Sequence, residues 1–158
     1  MTKKIFSSRE ELRKEIAARQ SKGARVVLTN GVFDIIHVGH VRYLREARAQ
    51  GDLLVVALND DASVRKLNKG PERPVNPEAA RAEVMAALES VDFVTIFSES
   101  TAEQVVRDVK PDIYVKGGDY KIEETPEGKA VLQYGGKAKA LQFVPGFSTT
   151  SILNKSKN

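Results

Sequence analysis

The sequence predicts an α/β fold: a parallel sheet with helices packed on both faces. Two observations lead there. Short aliphatic, β-branched runs alternate with longer amphipathic stretches along all 158 residues. The aliphatic runs also lack the in-out alternation of a half-exposed strand, which marks strands covered on both sides.

The elements follow in order. Phe6–Gln20 reads as a first helix, with Ser8 as its cap, Glu11 completing a capping box and Leu12, Ile16 and Ala17 on one face. Arg25–Asn30 reads as a buried strand, and Val38–Gln50 as a helix stopped by Gly51-Asp52. Leu53–Asn59 is a second strand. Lys66–Asn76 is a basic loop rich in Gly and Pro. Asn76 is expected to cap a helix that has Pro77 at its first position and runs to about Glu89. Asp92–Phe97 is a strand, Thr101–Lys110 a helix ended by Pro111, and Asp112–Lys116 a strand. Glu127–Tyr134 is a short helix, Ala138–Val144 a fifth strand and Ser148–Lys155 a last helix. The sum is a Rossmann-like three-layer α/β/α domain with a five-stranded parallel sheet, one domain over residues 1–158.

Composition narrows the function. There is no cysteine, so disulfides and thiolate metal sites are excluded, and a reducing cytoplasm suits the chain. The start carries no apolar h-region, so no signal peptide is expected, and no apolar run is long enough to span a bilayer. The net charge of +4 fits either a solvated surface or a field that draws phosphorylated anions. Nucleic acid ranks low, because the basic residues are dispersed and aromatic residues for stacking are few.

Four motifs carry chemistry, and they fall at the carboxyl ends of strands, where open α/β sheets bind ligands. The first is Thr29-Asn30-Gly31-Val32-Phe33-Asp34-Ile35-Ile36-His37-Val38-Gly39-His40, between the first strand and the second helix. Gly31 permits a tight turn, and Gly39 leaves room for a phosphate over a helix start. The chain has only two histidines, and both lie here, three residues apart. On a helix they share a face and can donate to phosphate oxygens; if protonated, they offset charge on a leaving pyrophosphate. Such a pair also suits a metal ion, but the turn holds one carboxylate, Asp34, so no protein-held metal is expected. The spacing of Gly31 and Gly39 does not match the Gly-x-Gly-x-x-Gly of dinucleotide-binding turns.

The second motif is the basic loop with Lys66, Lys69, Gly70, Arg73 and, just beyond it, Arg81. It suits closure over phosphates, or is a solvated charged loop. The third is Lys116-Gly117-Gly118-Asp119-Tyr120: a lysine for phosphate, glycines for close backbone approach, and a carboxylate to accept from a nucleotide; Gly-Gly-Asp is also an ordinary turn. The fourth is Ser148-Thr149-Thr150, where Ser148 alone would cap the last helix.

The His37-Val38-Gly39-His40 motif resembles the cytidylyltransferase-like nucleotidyltransferase superfamily. Gly70-Pro71-Glu72-Arg73-Pro74-Val75-Asn76-Pro77 and Lys116–Tyr120 resemble the adenylyltransferases that make ADP-glycero-manno-heptose. The likeness runs from about Ile5 to Leu153. Two departures stand out: Val32 replaces a frequent Cys, and Phe143-Val144-Pro145-Gly146 lacks the Arg that polyol-phosphate cytidylyltransferases carry before their hydroxyl turn. The second weakens a glycerol-3-phosphate cytidylyltransferase reading and does not decide ATP against CTP.

The resemblance implies an HxGH nucleotidyltransferase fold and transfer of AMP from ATP to D-glycero-β-D-manno-heptose 1-phosphate, a step toward lipopolysaccharide-type heptose precursors. It assigns catalysis to His37, His40 and Lys116. It assigns nucleotide binding to those three with Asn30, Gly31, Phe33, Asp34, Gly39, Gly117, Asp119, Ser148, Thr149 and Thr150. It assigns substrate binding to Lys69, Arg73, Asn76 and Arg81. It also implies Mg²⁺ carried in by the nucleotide, a homodimer, a cytoplasmic enzyme, and the stand-alone form without a sugar-kinase domain. The alternatives are a polyol-phosphate cytidylyltransferase using CTP and a nucleotide-binding module without turnover.

Overall fold

The computed structural model describes residues 3–67, 70–118 and 121–142. Its sheet contains β1 (Ile5–Phe6), β2 (Val26–Gly31), β3 (Leu53–Asn59), β4 (Phe93–Phe97), β5 (Ile113–Gly117) and β6 (Lys137–Leu141). The order is β1-β4-β3-β2-β5-β6, and every pairing is parallel. The helices are α1 (Arg9–Ser21), α2 (Val38–Arg48), α3 (Asp61–Lys66), α4 (Glu78–Ala86), α5 (Glu103–Val109) and α6 (Pro126–Gln133).

Six strands stand where five were expected. The added one, β1, takes Phe6 out of the anticipated first helix. Two residues leave no periodicity to read. Their place is set by partners far along the chain: Ile5 pairs with Val94, Phe6 with Thr95, and the Phe6 ring meets Phe93 edge-on at 5.7 Å. Helix α1 then starts where Ser8 caps it, its side chain accepting from the Glu11 N–H. The short helix α3, capped by Asp60, occupies part of what reads as a strand-to-loop transition. The anticipated last helix, 148–155, lies outside the described residues.

Helices cover both faces. Leu12 and Ile16 of α1, Val105, Val106 and Val109 of α5, and Ala130 and Val131 of α6 pack on one side, against Val26, Leu28, Val55 and Phe93. Tyr43, Leu44 and Ala47 of α2 and Ala82 and Met85 of α4 pack on the other, against Val27, Leu54, Val56 and Val94. Because both faces are buried, β2 to β5 need apolar residues at successive positions, which is why they read as continuous runs; β6, at the edge, is largely exposed. Among the described residues no helix is long and apolar enough to cross a membrane.

The order of the strands places the site. From β2 the chain moves outward to β3 and β4; it then returns through α5 to β5, on the other side of β2. The strand order thus reverses between β2 and β5, and ligands in such sheets bind in the crevice at that point. The β2–β5 register comprises Val27↔Ile113 and Leu28↔Tyr114, whereas β2–β3 pairing continues through Gly31. Beyond Leu28 and Tyr114 the two strands are free to splay.

One contact far from the crevice depends on a missing side chain. A Cβ on Gly128, in the first turn of α6, would lie 1.9 Å from the Ile122 carbonyl oxygen. Gly128→Ala should therefore lower stability by about 2–3 kcal/mol, the scale of overpacking, although alanine is the better helix former. Urea denaturation checks this; an unchanged or raised midpoint would contradict the backbone contact.

Candidate active site

The crevice is built first from the turn after β2. A Cβ on Gly31 would meet the Phe33 ring at 2.8 Å, so a side chain there would displace the ring that folds back over it. Phe33 is left-handed, with φ 48°, a conformation that costs a bulky residue energy. Its ring lies edge-on to His40, with centroids 5.3 Å apart.

His37 is the N-cap of α2 rather than a helical residue: its backbone is extended, at φ −137°. Its Nδ1 accepts from the Gly39 N–H at 3.1 Å, and the His40 Nδ1 accepts from the His37 N–H at 3.3 Å. This is a capping box made by two imidazoles instead of Ser and Glu. The rings stack with centroids 3.8 Å apart. With each Nδ1 accepting, the proton of each neutral ring belongs on Nε2. Burial pushes both histidines below their ordinary range; His40 falls to about 4, by burial first and by the neighbouring His37 second. At neutral pH the pair is thus two uncharged Nε2–H donors at a helix N-terminus, where the helix dipole also favours anions. Of the two modes open to the pair, donation by neutral rings is the one the resting geometry supports.

Asn30 and Gly31 end β2 on one side of the crevice; Lys116 and Gly117 end β5 on the other. The buried Tyr114 hydroxyl donates to Asn30 Oδ1 across the gap between these strands. On the opposite face, Tyr43 of α2 and Thr29 of β2 share a buried hydrogen bond at 2.8 Å. Sequence reasoning missed both tyrosines, because a tyrosine in a core pattern carries no sign of where its hydroxyl ends. Lys69, Asp119 and Ser148–Thr150 lie outside the described residues.

Arg73 and Arg81, expected at the substrate, make their hydrogen bonds within the protein. Arg73 Nε donates to Asp34 Oδ2 at 2.9 Å, in an ion pair whose side chains are 4% and 0% exposed. The Val75 N–H donates to Asp34 Oδ2 and the Asn76 N–H to Asp34 Oδ1, both at 2.8 Å. Asn76 was expected to cap α4. Instead its Nδ2 donates to the Asp34 carbonyl at 2.6 Å, and Pro77 stands at the N-cap with no side-chain bond. Arg81, wholly buried, donates to carbonyls of Val32, Asn59 and Asn76 and to Asp61 Oδ1. Arg73 and Arg81 thus face protein acceptors. Asp34, also assigned to the nucleotide, accepts three hydrogen bonds from the loop on its carboxylate. Among the described residues no group of three or more His, Cys, Asp or Glu is placed to hold a metal ion.

Comparison with known proteins agrees with this geometry. A family model described as cytidylyltransferase-like matches residues 28–155. The bifunctional protein HldE of Edwardsiella ictaluri (strain 93-146) is 51% identical over 147 residues, covering 93% of this chain and 31% of that protein. The HldE of Shewanella piezotolerans (strain WP3 / JCM 13877) is 58% identical over 132 residues, covering 84% of this chain and 28% of that protein. The chain therefore spans under a third of the length of these curated relatives. Among solved structures, the lipopolysaccharide core biosynthesis protein from Thermoplasma volcanium GSS1 is similar with a TM-score of 0.64 at 33% identity, over 77% of this chain and 98% of that one. Pantoate-beta-alanine ligase from Francisella tularensis, solved with beta-gamma ATP and beta-alanine, has a TM-score of 0.57 at 13% identity, over 99% of this chain and 77% of that one, and shares the fold.

The lowered His40 pKa makes a testable link to pH. Above 6.5 neither the folded nor the unfolded chain carries a proton here; between 6.5 and about 4 the unfolded chain binds one that the folded chain does not. This site's contribution to stability is therefore intact above pH 6.5 and is lost as the pH falls toward 4. An NMR titration of the His40 ring should give a midpoint near 4 in the free protein. A midpoint at the ordinary histidine value would show a ring open to water.

Proposed function

The chain belongs to the cytidylyltransferase-like family, and we propose that it transfers AMP from ATP to D-glycero-β-D-manno-heptose 1-phosphate, giving ADP-heptose and pyrophosphate. The observation that carries the reading is the stacked histidine pair at the start of α2, with both Nδ1 atoms accepting backbone N–H groups, beside the strand-order reversal between β2 and β5. The choice of ATP and heptose phosphate rests on the Gly70–Pro77 and Lys116–Tyr120 motifs and on the identity to the HldE proteins. The missing Arg ahead of Ser148 weighs against a polyol-phosphate cytidylyltransferase.

In this mechanism an oxygen of the sugar phosphate attacks the α-phosphorus of ATP in line. The bond from the α-phosphorus to the bridging oxygen breaks, and its electron pair leaves on pyrophosphate. No covalent enzyme intermediate is involved. His37 and His40 donate to the triphosphate as charge moves onto the leaving group. Lys116 adds a cation from the facing strand, and Lys69 one from the loop. Asn30 and the backbone at Gly31, Gly39 and Gly117 line the nucleotide, Asp119 accepts from it, and Ser148–Thr150 bind phosphate oxygens. A magnesium ion would arrive with the nucleotide rather than on a protein site and would supply positive charge against the departing pyrophosphate. The reaction would run in the cytoplasm, where ATP is supplied, in a homodimer.

Two measurements test this. Pyrophosphate release should appear with ATP and the heptose 1-phosphate in a panel of ATP or CTP against sugar and polyol phosphates. Release with CTP alone would overturn the adenylyl assignment, and none with any pair would leave a binding module. Second, His40→Ala should reduce turnover by roughly 10²–10³, the loss of one transition-state donor. Near-normal turnover in a folded variant would make the pair structural.

A further inference from the structure

We propose that Arg73, Asn76 and Arg81 are positioning residues that grip the left-handed turn Val32–Asp34 from behind, and through it seat the His37–His40 pair, without touching substrate. The proposal rests on the reading of that pair as the catalytic site.

The turn is held on both sides of its strained residue. Before Phe33, the Val32 carbonyl accepts from Arg81 Nη1 at 2.9 Å. After it, the Asp34 carbonyl accepts from Asn76 Nδ2 at 2.6 Å. The Asp34 carboxylate takes Arg73 Nε and the N–H groups of Val75 and Asn76. Between these grips stands Phe33 at φ 48°, a conformation that persists only where its surroundings over-determine it. The Phe33 ring is one wall of His40, and His37 follows Asp34 by three residues. A shift of the turn therefore moves the wall of one histidine and the backbone that leads to the other.

The donor count argues against a substrate role for Arg81. A guanidinium has five N–H donors, and the bonds to Asn76, Val32, Asn59 and Asp61 use four of them. Its side chain has no exposed surface. It joins the turn, the end of β3, the start of α3 and the loop at one point. A lysine would keep the charge but cannot reach this spread of acceptors.

The test uses Arg81→Lys and the milder Asn76→Ala in the full chain, each checked for folding by circular dichroism. For Arg81→Lys, kcat should fall by about 10²-fold, the scale of an ångström of misplacement. The KM for the acceptor should stay within about twofold, since no acceptor contact is lost. In the substrate-free protein, the His40 ring-proton resonances should be displaced in both variants, because the Phe33 ring no longer lies edge-on. Should Arg81→Lys fail to fold, Asn76→Ala carries the same readouts. Wild-type His40 resonances in the folded variants would overturn the proposal, as would an acceptor KM raised about tenfold at unchanged kcat. The NMR readout needs no substrate, so it decides the positioning role even if the adenylyl assignment fails.

Discussion

The carboxylate of Asp34 is the point on which the site's architecture turns. Residues 70–77 form neither helix nor strand and add little to the core, so the loop cannot be held by apolar packing. It is held by a buried charge. Asp34 accepts a guanidinium and two backbone N–H groups, which together replace the water it gave up. Loop and turn are mutually dependent: the loop supplies the donors that let a carboxylate be buried, and the carboxylate gives an irregular segment one conformation. A buried ion pair adds little net stability over apolar packing, but removing one partner strands the other at a cost of about 3–5 kcal/mol. The arrangement therefore enforces a shape more than it adds stability.

Topology supplies the place and local geometry the chemistry. The reversal of strand order between β2 and β5 opens a crevice without any special side chain. Helix α2 starts beside it, and its capping bonds use the Nδ1 atom of each histidine. One set of bonds thus ends a helix, fixes two ring orientations and assigns two tautomers.

Much of this was legible in the sequence, for reasons that also mark its limit. β2 to β5 were readable because strands buried on both faces must be apolar over several consecutive positions, whereas the edge strand β6 alternates Lys and Ala and is largely exposed. The histidine pair was readable because two rare residues met at a strand-to-helix junction. Ser8 was readable as a cap because its partner, Glu11, is local. Asn76 was misread because its preferred acceptor lies 42 residues away, at Asp34. Arg81 could not be resolved at all: a guanidinium made for phosphate and one made for carbonyl oxygens are the same residue, and only the fold shows which acceptors it meets. β1 is too short to carry a pattern, and its pairing partners are known only once β4 is in place.

The close stacking of His37 on His40 has a consequence for what the site attracts and when. Two imidazolium rings near 4 Å would repel by about 4 kcal/mol at the effective dielectric of a protein surface. The rings stand 3.8 Å apart, and burial pushes both below the ordinary histidine range, which favours the uncharged forms at neutral pH. A cradle without standing charge has no long-range hold on chloride or other small anions. Under the proposed function it would discriminate by the spacing of its two protons, and so by the shape of the phosphate chain laid across them. The pull over distance falls to the net charge of +4, spread over the chain's lysines and arginines. Under the proposed function, capture and grip would be divided between different residues: dispersed cations would bring the polyphosphate in, and two neutral rings would decide whether it stays.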